Sequence, residues 1–234
     1  ILPIAFLNVL ASIFMLYIFL MKITKYYSPN FDVKTRSSKS ITVIIIHYTG
    51  MQSERESLKK LTSPTSKVSC HYLIKRNGEI LSLVNDKNIA WHAGKSMWGK
   101  YKNLNKNSIG IELSNKGHRH GYQAFTKPQI MKLTQLCKNL KKKYMIKNKF
   151  ILGHSDVAPL RKIDPGEKFP WGYLSSQGIG IYPKKIGEKK RSYKTIDIRT
   201  FFRNLYKIGY RYLKTKFKKK IIKNFQRKYR QKRI

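Results

Sequence analysis

Six consecutive residues, Ile41-Thr42-Val43-Ile44-Ile45-Ile46, constrain this chain more than any other stretch. All six are β-branched, so their side chains are stiff at χ1 and suit a pleated surface. Only Thr42 is polar, so the run lacks the alternation of a half-exposed strand and reads as one buried on both faces. Such a strand needs cover on each side, and the chain supplies candidates. Residues 72–75 and 79–84 flank Asn77-Gly78, a hairpin signal. Residues 108–113 and 150–152 read as further short strands. Thr126 is a suitable N-cap with Pro128 and Gln129 in the first turn, resembling a capping box. Ile130, Leu133, Cys137, Leu140 and Tyr144 follow at helical spacing, and Lys141, Lys142 and Lys143 close that helix at its favourable dipole end. A shorter helix is expected over 54–61. Strands and helices alternate, so the expected architecture is α/β (α+β): a central mixed β-sheet flanked by helices.

The ends differ from this body. Residues 1–21 are almost wholly apolar, with Asn8 and Ser12 the polar exceptions and no charge before Lys22. Roughly 20 apolar residues span a bilayer. The stretch is expected to be an uncleaved anchor or a signal sequence, with the anchor favoured because no small-residue cleavage site stands out. Residues 22–40 read as a polar linker containing Pro29, and 41–175 as the folded body. Residues 176–234 form a basic tail with apolar residues at helical intervals over 200–213 and 217–229, a small C-terminal helical module. The chain carries 50 Lys+Arg against 11 Asp+Glu, a formal +39, which favours polyanionic partners such as nucleic acid, anionic lipid or acidic wall polymer. The bases are spread through the chain rather than gathered in a stripe, and no nucleic-acid motif accompanies them, so no specific nucleic acid is expected. A Lys-, Ile- and Asn-rich compositional habit is the bland alternative. Cys70 and Cys137 make no Cys-x-x-Cys, which excludes a cysteine zinc site; buried free thiols are favoured over a disulfide.

Three residues are candidates for chemistry: His47 at the end of the buried strand, His154 just after another strand, and Asp164 ten positions later. Sites collect at strand ends in α/β sheets. Two imidazoles and a carboxylate suit zinc and leave a fourth position for water, whose pKa the metal lowers to about 7. Singly, each is weak, since a lone histidine is more often structural. Their surroundings carry more. Gly153-His154-Ser155-Asp156-Val157-Ala158-Pro159 precedes Arg161-Lys162-Ile163-Asp164-Pro165-Gly166 and Phe169-Pro170-Trp171. Upstream lie Ile46-His47-Tyr48-Thr49, Val68-Ser69-Cys70-His71-Tyr72-Leu73-Ile74, Ala90-Trp91-His92-Ala93-Gly94 and Ser108-Ile109-Gly110-Ile111-Glu112-Leu113. Together, over residues 41–174, these words resemble the type-2 amidase domain of N-acetylmuramoyl-L-alanine amidases, the AmiD and AmpD group, related to phage amidase-type lysozymes and peptidoglycan recognition proteins.

The resemblance implies hydrolysis of the amide between N-acetylmuramic acid and L-alanine in peptidoglycan or muropeptides. It implies one zinc ion on His47, His154 and Asp164, and Glu112 and Lys162 as the catalytic pair. Glu112 would relay a proton from water to the leaving amine, and Lys162 would stand beside the oxyanion. Trp91 and His92 are implied on the cleft wall against substrate, with a hydrogen-bonded structural role as the alternative for His92. His71 reads as structural, and His118 and His120, bracketed by Gly117 and Gly121, as a loop near the cleft. Cys70 stands where the family commonly has a small residue, and the chain is more basic than usual. The tail, over 198–213 and 221–230, faintly resembles the helical peptidoglycan-binding module of AmiD-like enzymes; a solvated basic tail near anionic lipid or wall polymer is the alternative. The bacterial cell envelope, on its periplasmic face, is the expected address. A non-catalytic peptidoglycan-binding module is the competing function, and the filled ligand and catalytic positions weigh against it.

Overall fold

A computed structural model describes residues 21–183, 197–212 and 217–234 of the chain. In chain order the strands are β1 (Ile23–Lys25), β2 (Phe31–Asp32), β3 (Val43–Tyr48), β4 (Tyr72–Ile74), β5 (Ile80–Ser82), β6 (Ile89–Ala90), β7 (Met97–Trp98), β8 (Tyr101–Lys102), β9 (Ser108–Leu113) and β10 (Ile151–Gly153). The α-helices are α1 (Glu54–Thr62), α2 (Lys127–Tyr144), α3 (His154–Val157), α4 (Trp171–Ser176), α5 (Ile198–Ile208) and α6 (Lys218–Tyr229). The central sheet has the order β1-β5-β4-β9-β3-β10. Only β4 and β5 pair antiparallel within it, so the sheet is mixed, as expected.

Strand parity assigns the two faces. Ile44 and Ile46 of β3, with Ile109, Ile111 and Leu113 of β9, pack with Ile130, Leu133, Cys137 and Leu140 of α2. Val43 and Ile45 belong to a second cluster with Leu152, Phe202, Leu205, Tyr210 and Ile221. The last four come from α5, the turn after it, and α6. The tail helices are therefore the cover that the apolar run of β3 requires, and burying each such side chain is worth roughly 1.5–3 kcal/mol. Over the β4–β5 half, Leu73 and Leu81 pack with Cys70, Leu83 and Leu61, the last from α1.

Local signals account for the boundaries. Thr126 and Gln129 form a reciprocal capping box at the start of α2, and the Gln129 amide reaches on to the carbonyls of Ile74 and Ser114. Ser53 caps α1 by accepting from the Glu56 N–H. The β4–β5 loop closes through Gly78 N–H to the Lys75 carbonyl and Lys75 N–H to the Glu79 carbonyl. Gly78 has φ +91°, and a side chain there would also crowd Pro128. The loop is thus a turn ending in a left-handed glycine rather than a two-residue Asn-Gly connection.

Within the stretch read as a linker, Ile23–Lys25 pairs parallel with β5. Ser28, Asn30 and Arg36 are buried there. Asn30 donates to the carbonyls of Ser63 and Val68, and Arg36 to those of Asp86 and Asn105. Polar composition concealed this because the buried groups are satisfied by backbone carbonyls. Cys70 and Cys137 are both buried and free, in clusters on opposite faces of the sheet. Among the described residues no helix is long and apolar enough to cross a membrane; the expected anchor at 1–21 lies, but for Met21, outside the described residues.

Candidate active site

His47 follows Val43 and Ile45 by strand parity, so it leaves β3 on the face away from α2. Glu112 shares that face on β9, because Ile109, Ile111 and Leu113 take the other. The parallel register sets His47 beside Glu112. His154 opens α3 directly after β10, the strand that pairs with β3 on its other side. Asp164 is returned to this point by the loop after α3, where the Ser155 N–H donates to the Asp164 carbonyl. His47, His154 and Asp164 are all buried and form one potential metal-holding group.

His47 Nδ1 lies 2.9 Å from His154 Nδ1 and 3.1 Å from Asp164 Oδ2, and His154 Nδ1 lies 3.1 Å from the same oxygen. A tetrahedral zinc with bonds of about 2.0–2.1 Å has ligand–ligand edges of about 3.3 Å, so the triangle needs only a slight opening to accept the ion. The far nitrogens are engaged elsewhere. His154 Nε2 lies 3.2 Å from the Ala93 carbonyl, which can only accept, and 3.4 Å from Arg161 Nη2, which can only donate; the nearer carbonyl favours a proton on Nε2 and a lone pair on Nδ1. His47 Nε2 meets His92 Nδ1 at 3.0 Å. Burial and repulsion from His154 lower the His47 imidazole to about 4. Although burial opposes it, the two imidazoles hold Asp164 well below the usual carboxylate range. A His47 imidazole kept neutral and an Asp164 carboxylate kept ionised, converging on one point, are the protonation states a divalent cation requires.

Glu112 completes the group differently. Burial pushes its carboxyl up to about 8, with the charge of Asp164 adding to the rise and Lys162 opposing it. Its Oε2 is buried without a hydrogen-bond partner among the described residues. His47, His154, Asp164, Glu112, Lys162, Trp91 and His92 all line one cleft of about 620 Å³. Trp91 is steadied there by its indole N–H to Asp32 at 2.6 Å.

Of the remaining histidines, contacts place His71 and His118. His71 is fully buried, accepts from the Gly110 N–H at Nδ1 and meets the Asn88 carbonyl at Nε2, a structural role. His118 stacks on Tyr122 and contacts Tyr48 and Glu167, and among the described residues it joins no second metal group. Sequence reading missed the supports. Asn105 Oδ1 accepts from the His92 and Ala93 N–H groups. Asn224 of α6 donates to the carbonyls of Pro159 and Lys162, 2.8 and 2.9 Å away. Lys228 of α6 pairs with buried Asp156 at 2.6 Å, and Gln231 donates to the Phe169 carbonyl. The tail that resembles a separate module thus grips the loop carrying Lys162 and Asp164. The one legible hint was the apolar spacing of α6; nothing local marks Asn224 or Lys228 as buried among so many exposed polar residues.

Comparison with known proteins agrees with this geometry. The family profile described as N-acetylmuramoyl-L-alanine amidase matches residues 37–167, more than half of the chain. The N-acetylmuramoyl-L-alanine amidase AmiD of Escherichia coli is 41% identical over 155 residues, 61% of this chain and 55% of that protein. The alignment therefore spans little more than half the length of AmiD. The 1,6-anhydro-N-acetylmuramyl-L-alanine amidase AmpD of Haemophilus influenzae is 36% identical over 168 residues, 64% of this chain and 89% of that protein. In structure, the chain resembles E. coli AmiD in complex with anhydro-N-acetylmuramic acid-L-Ala-D-gamma-Glu-L-Lys, with a TM-score of 0.75, 32% identity and coverage of 86% and 84% of the two chains. On the match of its whole central body, the chain belongs to the N-acetylmuramoyl-L-alanine amidase family.

Proposed function

We propose that this protein hydrolyses the amide bond between N-acetylmuramic acid and L-alanine in peptidoglycan or its muropeptide fragments, with one zinc ion on His47, His154 and Asp164. The observation that carries the reading is the meeting of three ligand atoms, 2.9–3.1 Å apart, in the cleft where Glu112 keeps a carboxylate oxygen unpartnered among the described residues. Relatives named as amidases, one seen with an anhydromuramyl peptide, support the substrate class.

A zinc ion held there would act as a Lewis acid on the scissile carbonyl and make hydroxide available near neutral pH. The chain's own groups do the rest. Glu112 in its ionised form can take a proton at Oε2 and return it to the departing nitrogen, and its raised carboxyl strengthens its hold on that proton in between. Lys162 can set its ammonium beside the charge developing on the carbonyl oxygen. Its backbone is held from two sides, by its N–H to Ala158 and its carbonyl to Asn224. Lys60, Arg119 and Arg161 also line the cleft, which suits a substrate bearing carboxylates. The apolar run of residues 1–21 supports a place in the bacterial envelope, and the charge of +39 a contact with anionic lipid or wall polymer.

The test is mass spectrometry of muropeptides incubated with the protein, with zinc and with chelator. Free stem peptide is expected with zinc and none with chelator. Its absence from the zinc reaction would remove the hydrolase reading.

A further inference from the structure

We propose that His92 and Ser108 are positioning residues that hold His47 in the tautomer and orientation able to bind the metal, through a hydrogen-bond chain anchored on a backbone carbonyl. The inference rests on the reading of His47 as a metal ligand and adds a role to two residues outside the ligand set.

Proton counting gives every bond in the chain a direction. The Leu104 carbonyl can only accept, so Ser108 Oγ, 2.6 Å away, spends its one proton there. Ser108 Oγ is then left only lone pairs for His92 Nε2 at 3.2 Å, and His92 must donate. A neutral imidazole has a single N–H, so His92 Nδ1 is an acceptor. His47 Nε2, 3.0 Å from it, is therefore the donor, and the lone pair of His47 is left on Nδ1, the atom that faces His154 and Asp164; this arrangement belongs to the cation-bound site, since without a cation the Asp164 oxygen 3.1 Å away would itself draw a proton to Nδ1. The anchor is rigid: Leu104 is fully buried and Ser108 is the first residue of β9.

Shape supports the same assignment. Ser108, Gly110 and Glu112 share the site face of β9, opposite Ile109, Ile111 and Leu113. A Cβ on Gly110 would lie 2.4–2.6 Å from the His92 ring. The missing side chain is the space in which that ring sits. The His92 backbone is held as well, its N–H donating to Asn105 Oδ1. Partners of this kind, behind a ligating histidine, set ring orientation and commonly change metal affinity 10–100-fold.

The experiment measures zinc affinity by competition with a chromophoric chelator for the full chain, His92→Ala, His92→Asn and Ser108→Ala. It is joined by nitrogen-15 spectra of the imidazoles in the zinc-loaded proteins. Asparagine offers its Oδ1 near the place of the lost Nδ1, so it can still accept from His47. The expected result is zinc binding about 10-fold or more weaker in His92→Ala, recovery to within about 3-fold in His92→Asn, and an intermediate loss in Ser108→Ala. His47 of the zinc-loaded wild type is expected to carry its proton on Nε2. Equal affinity of His92→Ala and wild type would overturn the inference. So would equal losses in the alanine and asparagine variants, which would make the ring a packing element only. A wild type that binds no zinc would instead sink the metal reading, and this inference with it; in a wild type that does bind zinc, a proton on Nδ1 of His47 overturns this inference alone.

Discussion

Replacing Lys228 by alanine tests whether the tail is part of the catalytic body. Lys228 is 3% exposed and its partner Asp156 1%, with Nζ and Oδ2 2.6 Å apart. Asp156 also accepts from the Gly153 N–H at 2.8 Å and the Tyr210 hydroxyl at 2.5 Å. Burial works against the Lys228 ammonium, yet Asp156 holds its pKa above the ordinary value. The group is thus charged in the folded state throughout the neutral range, and its contribution fades only as pH rises above that of a free lysine. Attraction at this separation is about 6 kcal/mol at an effective dielectric of 20, most of it offset by desolvation of both ions. Removing one ion leaves the other buried and unpaired, which costs about 3–5 kcal/mol. A domain is stable by about 5–15 kcal/mol, so the loss is a large fraction of the whole. With a urea slope of about 3 kcal/mol/M, the midpoint should fall by about 1–2 M. The double variant Asp156→Asn with Lys228→Met removes both charges, keeps an acceptor oxygen for the Gly153 N–H while its amide NH2 can donate to the Tyr210 hydroxyl, and should be more stable than Lys228→Ala. A wild type that unfolds in two separate transitions, or a midpoint shift under about 0.3 M, would refute the claim that tail and sheet form one folding unit.

Two further outcomes follow from the cleft. Glu112→Gln should abolish turnover yet stabilise the metal-free protein at alkaline pH. The folded carboxyl, at about 8, binds its proton more tightly than the unfolded one, so stability falls as pH rises through 4.5–8. The variant should gain about 1–3 kcal/mol over wild type at pH 8.5 and nothing at pH 4, read by denaturant melts; an identical difference at both values would contradict the buried-carboxyl assignment. Gly110→Ala should cost at least 1–3 kcal/mol by overpacking against His92 and should weaken zinc binding with it. Unchanged stability and affinity would mean that the ring can move aside freely.

Much of the site was readable before any fold, because its signals are local. The β-branched run announced a strand covered on both faces, and the Thr126–Gln129 box announced where α2 begins. The words around His47, His154 and Asp164 carried the family resemblance. The convergence of those three residues, 107 and 117 positions apart for His47 and its partners, is a property of strand pairing. His92 illustrates the limit: its motif suggested a cleft wall, and only contacts with Ser108 and His47 reveal a support for the ligand. Lys228 illustrates it again, one buried lysine in a chain so rich in exposed ones.

Element type, caps and the parity of each strand were settled by neighbours within four residues, and those are written along the chain. The register that sets His47 beside Glu112, the docking of α5 and α6 over Val43 and Ile45, and the orientation of the His47 ring were decided only in the folded molecule. The reason is that each depends on a hydrogen bond or apolar contact between distant segments, whose free energy exists only once both are brought together and which no nearest-neighbour pattern encodes.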